Sequence, residues 1–190
     1  MNALLKKLAR WLLGDYSPYF IYTCALSPDA PVDHDAASDI DIRPVDASLL
    51  GASADALIRA QAGYAGEGSH AYAAFDGERI VGVCFYWFGE RYRTRNFWPL
   101  IDGEAKLVQI VVLPDVRGRG IAPRLIQTAS RELAQKAFCR AYARIWHSNT
   151  PSLRAFERAG WARIAFVFEC HPLRRSRPMR IRLRVGDRNR

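Results

Sequence analysis

Cysteine is scarce in this sequence: four in 190 residues, scattered at Cys24, Cys84, Cys139 and Cys170. They form no C-x-x-C pair and have no histidine at ligand spacing, which argues against both a disulfide framework and a zinc site. No metal is expected, and reduced thiols in a cytoplasm fit this usage. Long apolar runs are also missing near the start. The longest there is Trp11-Leu12-Leu13, interrupted upstream by Lys6, Lys7 and Arg10, far short of a signal-peptide core or of the ~20 residues that cross a bilayer. The expected location is therefore cytoplasmic, with the inner membrane face open as a peripheral site. Acidic residues thin out towards the C-terminus, where Thr150 to Arg190 holds 11 Arg against Glu157, Glu169 and Asp187, an excess of +8. Residues 1–50 hold 4 basic and 7 acidic side chains, so the overall charge of +9 is a C-terminal property.

The remainder is ordinary for a packed protein. Apolar residues at 49% and charged ones at 25% describe a soluble folded chain, and 190 residues suit one domain. Leu4, Leu5, Leu8, Trp11 and Leu12 share one helical stripe opposite Lys6, Lys7 and Arg10, so residues 1–13 predict an amphipathic helix. Such a helix suits peripheral membrane contact, or packing on its own domain or on a partner subunit, which leaves a homodimer open. Tyr16 to Tyr22 is aromatic and reads as a continuation of that leader, and Asp29 to Asp39 as a linker. The leader and linker are taken as residues 1–37 and the domain as 38–190.

Within the domain, Ile40, Ile42 and Val45 alternate as in a strand, and Ala47 to Ala62 predicts a helix. Ala71–Phe75 and Arg79–Phe88 are aromatic, β-branched runs joined by Asp76-Gly77, a tight hairpin turn. Arg91 to Asp102 is a polar, aromatic loop, and Leu107 to Leu113 is an apolar run expected to be buried on both faces. Leu125, Ile126, Ala129 and Leu133 set one stripe of a helix over Ile121 to Phe138. Strands are then expected at Ala141–Trp146, Arg163–Glu169 and Met179–Val185, with a short helix at Ser152–Arg158. The order predicts an α/β domain with a mixed sheet.

The chemistry concentrates between the apolar strand and the helix, in Pro114-Asp115-Val116-Arg117-Gly118-Arg119-Gly120-Ile121-Ala122. Two glycines allow a sharp turn with outward N–H groups, and the helix adds unpaired amides and a positive dipole end. Arg117 and Arg119 add full charges, so a diphosphate is the natural ligand. A P-loop lacks its G-K-[ST], and a dinucleotide fingerprint lacks its third glycine because Pro123 stands there. A glycine turn that only caps a helix remains the alternative.

Strand VVLP followed by RGRGIA resembles the acetyl-CoA motif R-x-x-G-x-[GA] of the GNAT superfamily, with Arg117, Gly120 and Ala122 in the matching places. A neighbouring register would begin at Asp115, where the family commonly has Gln or Arg. Asn149, Ser152, Phe156, Gly160 and Trp161 follow the family's N-x-x-[AS]-x-x-x-Y-x-x-x-G-[FW] pattern, and the likeness covers roughly Ser38 to Glu169.

The resemblance implies a mostly antiparallel sheet with two splayed parallel strands, and an acetyl-CoA-dependent transfer to an amine. Ile110, Val111 and Val112 would pair with the pantetheine arm, and a backbone N–H near Ile110 would meet the thioester carbonyl. Gly118, Arg119 and Ile121 complete the phosphate loop, and Asn149, Ser152 and Phe156 flank it. Phe156 stands where members frequently carry a Tyr that protonates the leaving thiolate, and it has no proton to give. Glu104, 13 residues before Arg117, is the leading base, His147 the second and Asp102 the third. Loop Arg91–Asp102 is expected to face the acceptor, and its arginines suit a nucleotide-sugar phosphate or a carboxylate. An aminosugar nucleotide or other small amine is the first expectation and a peptide or protein amine the second. An acyl-CoA-binding domain without turnover is a rival. The arginine tail suggests nucleic acid only weakly, because no basic-aromatic interleaving or helix-turn-helix accompanies it.

Overall fold

The computed structural model describes residues 16–32, 39–171 and 179–185. The leader helix expected over residues 1–13, and Arg174, Arg175 and Arg177, lie outside the described residues. Among the described residues no helix is long and apolar enough to cross a membrane.

Among the described residues eight strands form one sheet: β1 (Tyr16–Ala25), β2 (Ile40–Pro44), β3 (Ser69–Asp76), β4 (Arg79–Trp87), β5 (Glu104–Val112), β6 (Arg140–Trp146), β7 (Ala162–Cys170) and β8 (Met179–Arg184). Their spatial order is β2-β3-β4-β5-β6-β1-β7-β8. Every neighbouring pair is antiparallel except β5 and β6, which run parallel. The expected mixed, mostly antiparallel sheet with flanking helices is therefore the fold. The β3–β4 hairpin turns at Asp76-Gly77, where Gly77 takes φ +59°.

Two local expectations are corrected. Tyr16–Tyr22 is no part of a leader: β1 lies between β6 and β7, with Tyr19, Ile21 and Tyr22 buried. Its aromatic and β-branched residues suit a pleated, covered surface. The helix expected over Ala47–Ala62 is broken into α1 (Ala47–Gly51) and α2 (Ala56–Arg59). Two aspartates each prefer to cap a new start: Asp46 accepts from Leu49 N at 2.8 Å and Asp55 from Leu57 N at 2.9 Å. In addition, Arg59 donates to the carbonyls of Ser53 and Ala54, both at 2.7 Å, holding the break between them.

After the single turn α3 (Gly89–Tyr92), the main core lies under α4 (Ile121–Gln135) and α5 (Thr150–Arg158). The expected α4 stripe of Leu125, Ile126, Ala129 and Leu133 is wholly buried in it. A smaller core joins Tyr19, Ile21, Ala165 and Val167 to Phe97, with Trp98 packed against it. β8 closes the sheet as an exposed edge whose arginines are used within the fold: Arg180 pairs with Glu169 and Arg182 stacks 4.5 Å over the Trp98 ring.

Candidate active site

Pro114 ends β5, a single 3-10 turn follows, and Val116 anchors that turn in the core. Gly118 then takes φ +87° and Gly120 φ +80°, conformations that cost an L side chain about 1–2 kcal/mol. Gly120 caps α4 without any side-chain hydrogen bond, and Pro123 in the first turn has no N–H, so the amides at this end are left for a ligand. The helix start also sits close on the sheet. A Cβ at Gly82 of β4 would meet Val111 O at 3.3 Å and Ile121 Cγ2 at 3.6 Å.

The two loop arginines part ways. Arg117 donates from Nε to Val112 O at 3.2 Å and lines the cleft beside the loop. Arg119 turns away, because Asp76 at 2.8 Å and Asp39 bind its guanidinium; it is corrected from ligand contact to ion pair. Asp115, the mismatched motif position, likewise faces the hairpin, where Arg79 at 2.7 Å holds its carboxyl below the usual range. Its side chain does not interfere with the loop.

β5 and β6 pair only from Glu104↔Arg140 to Leu107↔Ala143, although both strands continue beyond. They separate where a bulge lets Phe85 and Tyr86 face Gln109 and Leu107, skipping Val108. β6 can leave β5 because its other edge is paired with β1 from Arg140 to Trp146. The edge of β5 after Leu107 therefore offers unpaired backbone N–H and C=O groups, which an extended amide-bearing arm can satisfy.

A cleft of about 590 Å³ runs from this gap to the loop. Ile110, Val111, Val112, Gly118, Gly120, Ile121 and Ala122 line one side, with Asn149, Ser152 and Phe156 opposite. Every sequence-expected ligand contact is thus in one place except Arg119. Arg154 and Arg158 also line it and were not singled out by the sequence reading, although their i,i+4 spacing on α5 puts them on one face. Asn149 does two things, since its Oδ1 also accepts the Ser152 N–H at 3.3 Å as the α5 cap. The loop, the open strand edge and these arginines fit a long, diphosphate-bearing ligand.

A second cleft of about 180 Å³ meets the first at Ile110, Asn149, Ser152 and Phe156. Its distinctive walls are Arg95, Phe97, Arg144 and Trp146. Of the loop Arg91–Asp102, only Arg95 and Phe97 reach it. Arg91 donates to the carbonyls of Gly63, Ala65 and Glu67, and Arg93 pairs with Glu90. The loop is fastened from below by Lys106 of β5, which is fully buried. Its amine touches the Tyr92 hydroxyl, donates to Trp98 O at 2.8 Å and lies 3.4 Å from the Phe97 ring centre. Burial, and then the Arg144 guanidinium, pushes this amine down to about 5, against a partial opposing effect of Glu104.

Among known protein families, the model described as "Acetyltransferase (GNAT) family" matches residues 41–161, well over half of the chain. The chain belongs to the GNAT acetyltransferase family. A GNAT-family acetyltransferase from Colwellia psychrerythraea is similar over 88% of this chain and 61% of its own, at 13% identity and TM-score 0.57. A GCN5-related N-acetyltransferase from Sphaerobacter thermophilus is similar over 97% and 57%, at 16% identity and TM-score 0.56. The chain thus spans about three fifths of the length of these proteins, and at such identities the likeness is one of fold. No curated protein matches the sequence.

In this GNAT domain the expected bases do not line either cleft. Glu104 is buried at the closed end of β5, accepting from Tyr142 OH at 3.0 Å and Ile101 N at 3.1 Å, with Arg140 3.9 Å away. Six residues of strand put it ~20 Å along β5 from Ile110, and Asp102 lies beside it at the same end. Its role there is to tie β5, β6 and the loop together. Glu104→Gln is accordingly expected to leave the acid limb of the pH–rate profile unmoved, and a shifted limb would return Glu104 to the chemistry. His147 is exposed, one residue beyond Trp146, with Nδ1 donating to Pro18 O at 3.2 Å; that bond leaves Nε2 as an acceptor. Phe156 is buried edge-on against Trp161, 5.0 Å between ring centres, and faces both clefts.

Proposed function

We propose that this protein transfers an acetyl group from acetyl-CoA to the nitrogen of a primary amine, with both substrates held together and the amine attacking directly. The observation that carries this reading is the junction of two clefts at the point where β5 and β6 part: a long one ending on the glycine loop, and a short one walled by arginines and aromatics. Acetyl-CoA supplies an acetyl group activated as a thioester. The amides of residues 118–122 with Arg117 hold its diphosphate, Arg154 and Arg158 add positive charge, and the open edge of β5 takes the pantetheine arm.

The short cleft takes the acceptor, a small amine such as an aminosugar nucleotide, or a peptide amine. An alkylamine is protonated at neutral pH and must lose its proton before it can attack. His147, one residue beyond the cleft-lining Trp146 and with Nε2 as its acceptor, takes that proton through solvent. Phe156 contributes no proton at the junction, so the outgoing thiolate takes its proton from water.

Phe156 also favours a second reading, a domain that binds acyl-CoA without turning it over. Mass spectrometry of an amine library incubated with acetyl-CoA decides between them. Acetylated amine is the expected product; coenzyme A binding with no acetylated amine from any acceptor would support the second reading.

A further inference from the structure

Arg144 differs from the arginines of this fold that are tied to carboxylates. Arg79, Arg119, Arg163 and Arg180 each lie against a carboxylate. Arg144 projects from β6 into the short cleft, half-buried, with its guanidinium carbon 5.1 Å from the Phe97 ring centre and 5.3 Å from those of Tyr19 and Trp146. It has no hydrogen bond and no carboxylate partner among the described residues. Aromatic faces hold the guanidinium plane in place but leave its five N–H donors unused.

The surroundings do not neutralise it. Among the described residues no Asp or Glu lines the short cleft, and the one other charged side chain there is Arg95. Arg95 stacks 5.1 Å over the Tyr64 ring and donates to the Tyr64 hydroxyl at 2.8 Å. The neighbouring Lys106 is a basic side chain and supplies no counterion to Arg144 in either protonation state. A cleft holding two positive charges and none of opposite sign repels a bare ammonium ion, the dominant form of most amines at neutral pH. It attracts an amine whose molecule also bears an oxyanion, because a guanidinium fork matches a carboxylate or phosphate.

We infer that the acceptor is an amine bearing its own carboxylate or phosphate group, and that Arg144, assisted by Arg95, is the residue that reads this anion. The inference rests on the acetyltransferase reading and narrows it: polyamines, amino sugars without an acidic group and lysines in basic sequence are poor acceptors.

Two matched pairs test it by steady-state kinetics with saturating acetyl-CoA: glucosamine 6-phosphate against glucosamine, and β-alanine against its amide. The anionic member of at least one pair is expected to have a kcat/KM higher by about tenfold or more, and the pair that shows it tells phosphate from carboxylate. Arg144→Gln should erase the preference mainly through the acceptor KM while leaving the acetyl-CoA KM unchanged. Arg144→Lys should retain part of it. Arg95→Gln, at an exposed position, should shrink it even if the Arg144 variants fold poorly. Equal use of both members in both pairs, or a preference that survives Arg144→Gln, would overturn the inference and leave the enzyme standing. A protein that binds acetyl-CoA yet acetylates neither pair nor any other amine would lose both readings.

Discussion

Gly120→Val is expected to weaken acetyl-CoA binding by about a hundredfold, roughly 2.7 kcal/mol, while the protein stays folded. Gly120 holds φ +80° immediately before α4 and has no side-chain cap to compensate for a change of path. A β-branched residue avoids that region, so the chain would leave it and rotate the amides that follow. The helix itself is fixed by Leu125, Ile126, Ala129 and Leu133, none of them exposed, so the loss should fall on the ligand and only slightly on the fold. Calorimetric titration with acetyl-CoA, alongside a melting curve, separates the two. An unchanged dissociation constant would mean that the loop amides contribute nothing to binding.

Lys106→Met is expected to change the pH dependence of stability more than any other single substitution. The Lys106 amine has its protonation pushed down from 10.5 to about 5 by burial. Between those values the unfolded chain binds a proton that the folded chain does not. Stability therefore rises with pH across that window, by about 1.4 kcal/mol per unit from this group alone. From pH 7 to 9 this raises the melting temperature by about 5 to 10 °C in a domain of this size. Methionine fills a similar volume and does not titrate, so the rise should vanish in the variant. The comparison is read as wild type minus variant, because the Cys84 thiol, pushed up by burial, titrates in both. Parallel curves would mean that Lys106 stays charged in the folded protein. The variant also removes one of the two donors to Trp98 O, the Tyr92 hydroxyl being the other, so the acceptor KM should rise with it.

The parts of this fold that are legible in the sequence are those fixed locally. Asp76-Gly77 marks its hairpin, the apolar run before Pro114 marks the central strand, and the four-residue stripe of α4 marks its buried face. The glycine loop is equally local, and all but one of its expected contacts lie in the long cleft. What escaped depends on distant partners. Arg119 and Arg117 look alike in sequence, and only the fold brings Asp39, 80 residues away, against the first. Glu104 has a suitable spacing from the loop, but whether it faces the gap or the paired end depends on where β5 and β6 stop pairing. β1 contains Pro18 and follows a helical pattern, so its place between β6 and β7 depends on ladders formed more than 100 residues later. Arg144 and Lys106 are ordinary strand residues until Phe97, Trp98 and Tyr92 fold over them.

Nitrogen–proton correlation spectra recorded during titration with acetyl-CoA, and separately with acetylpantetheine, test the central claim most directly. The amides of residues 118–122 should shift most with acetyl-CoA and stay still with acetylpantetheine, which lacks the diphosphate. Shifts confined to other amides, or none with millimolar acetyl-CoA, would contradict a diphosphate held by this loop.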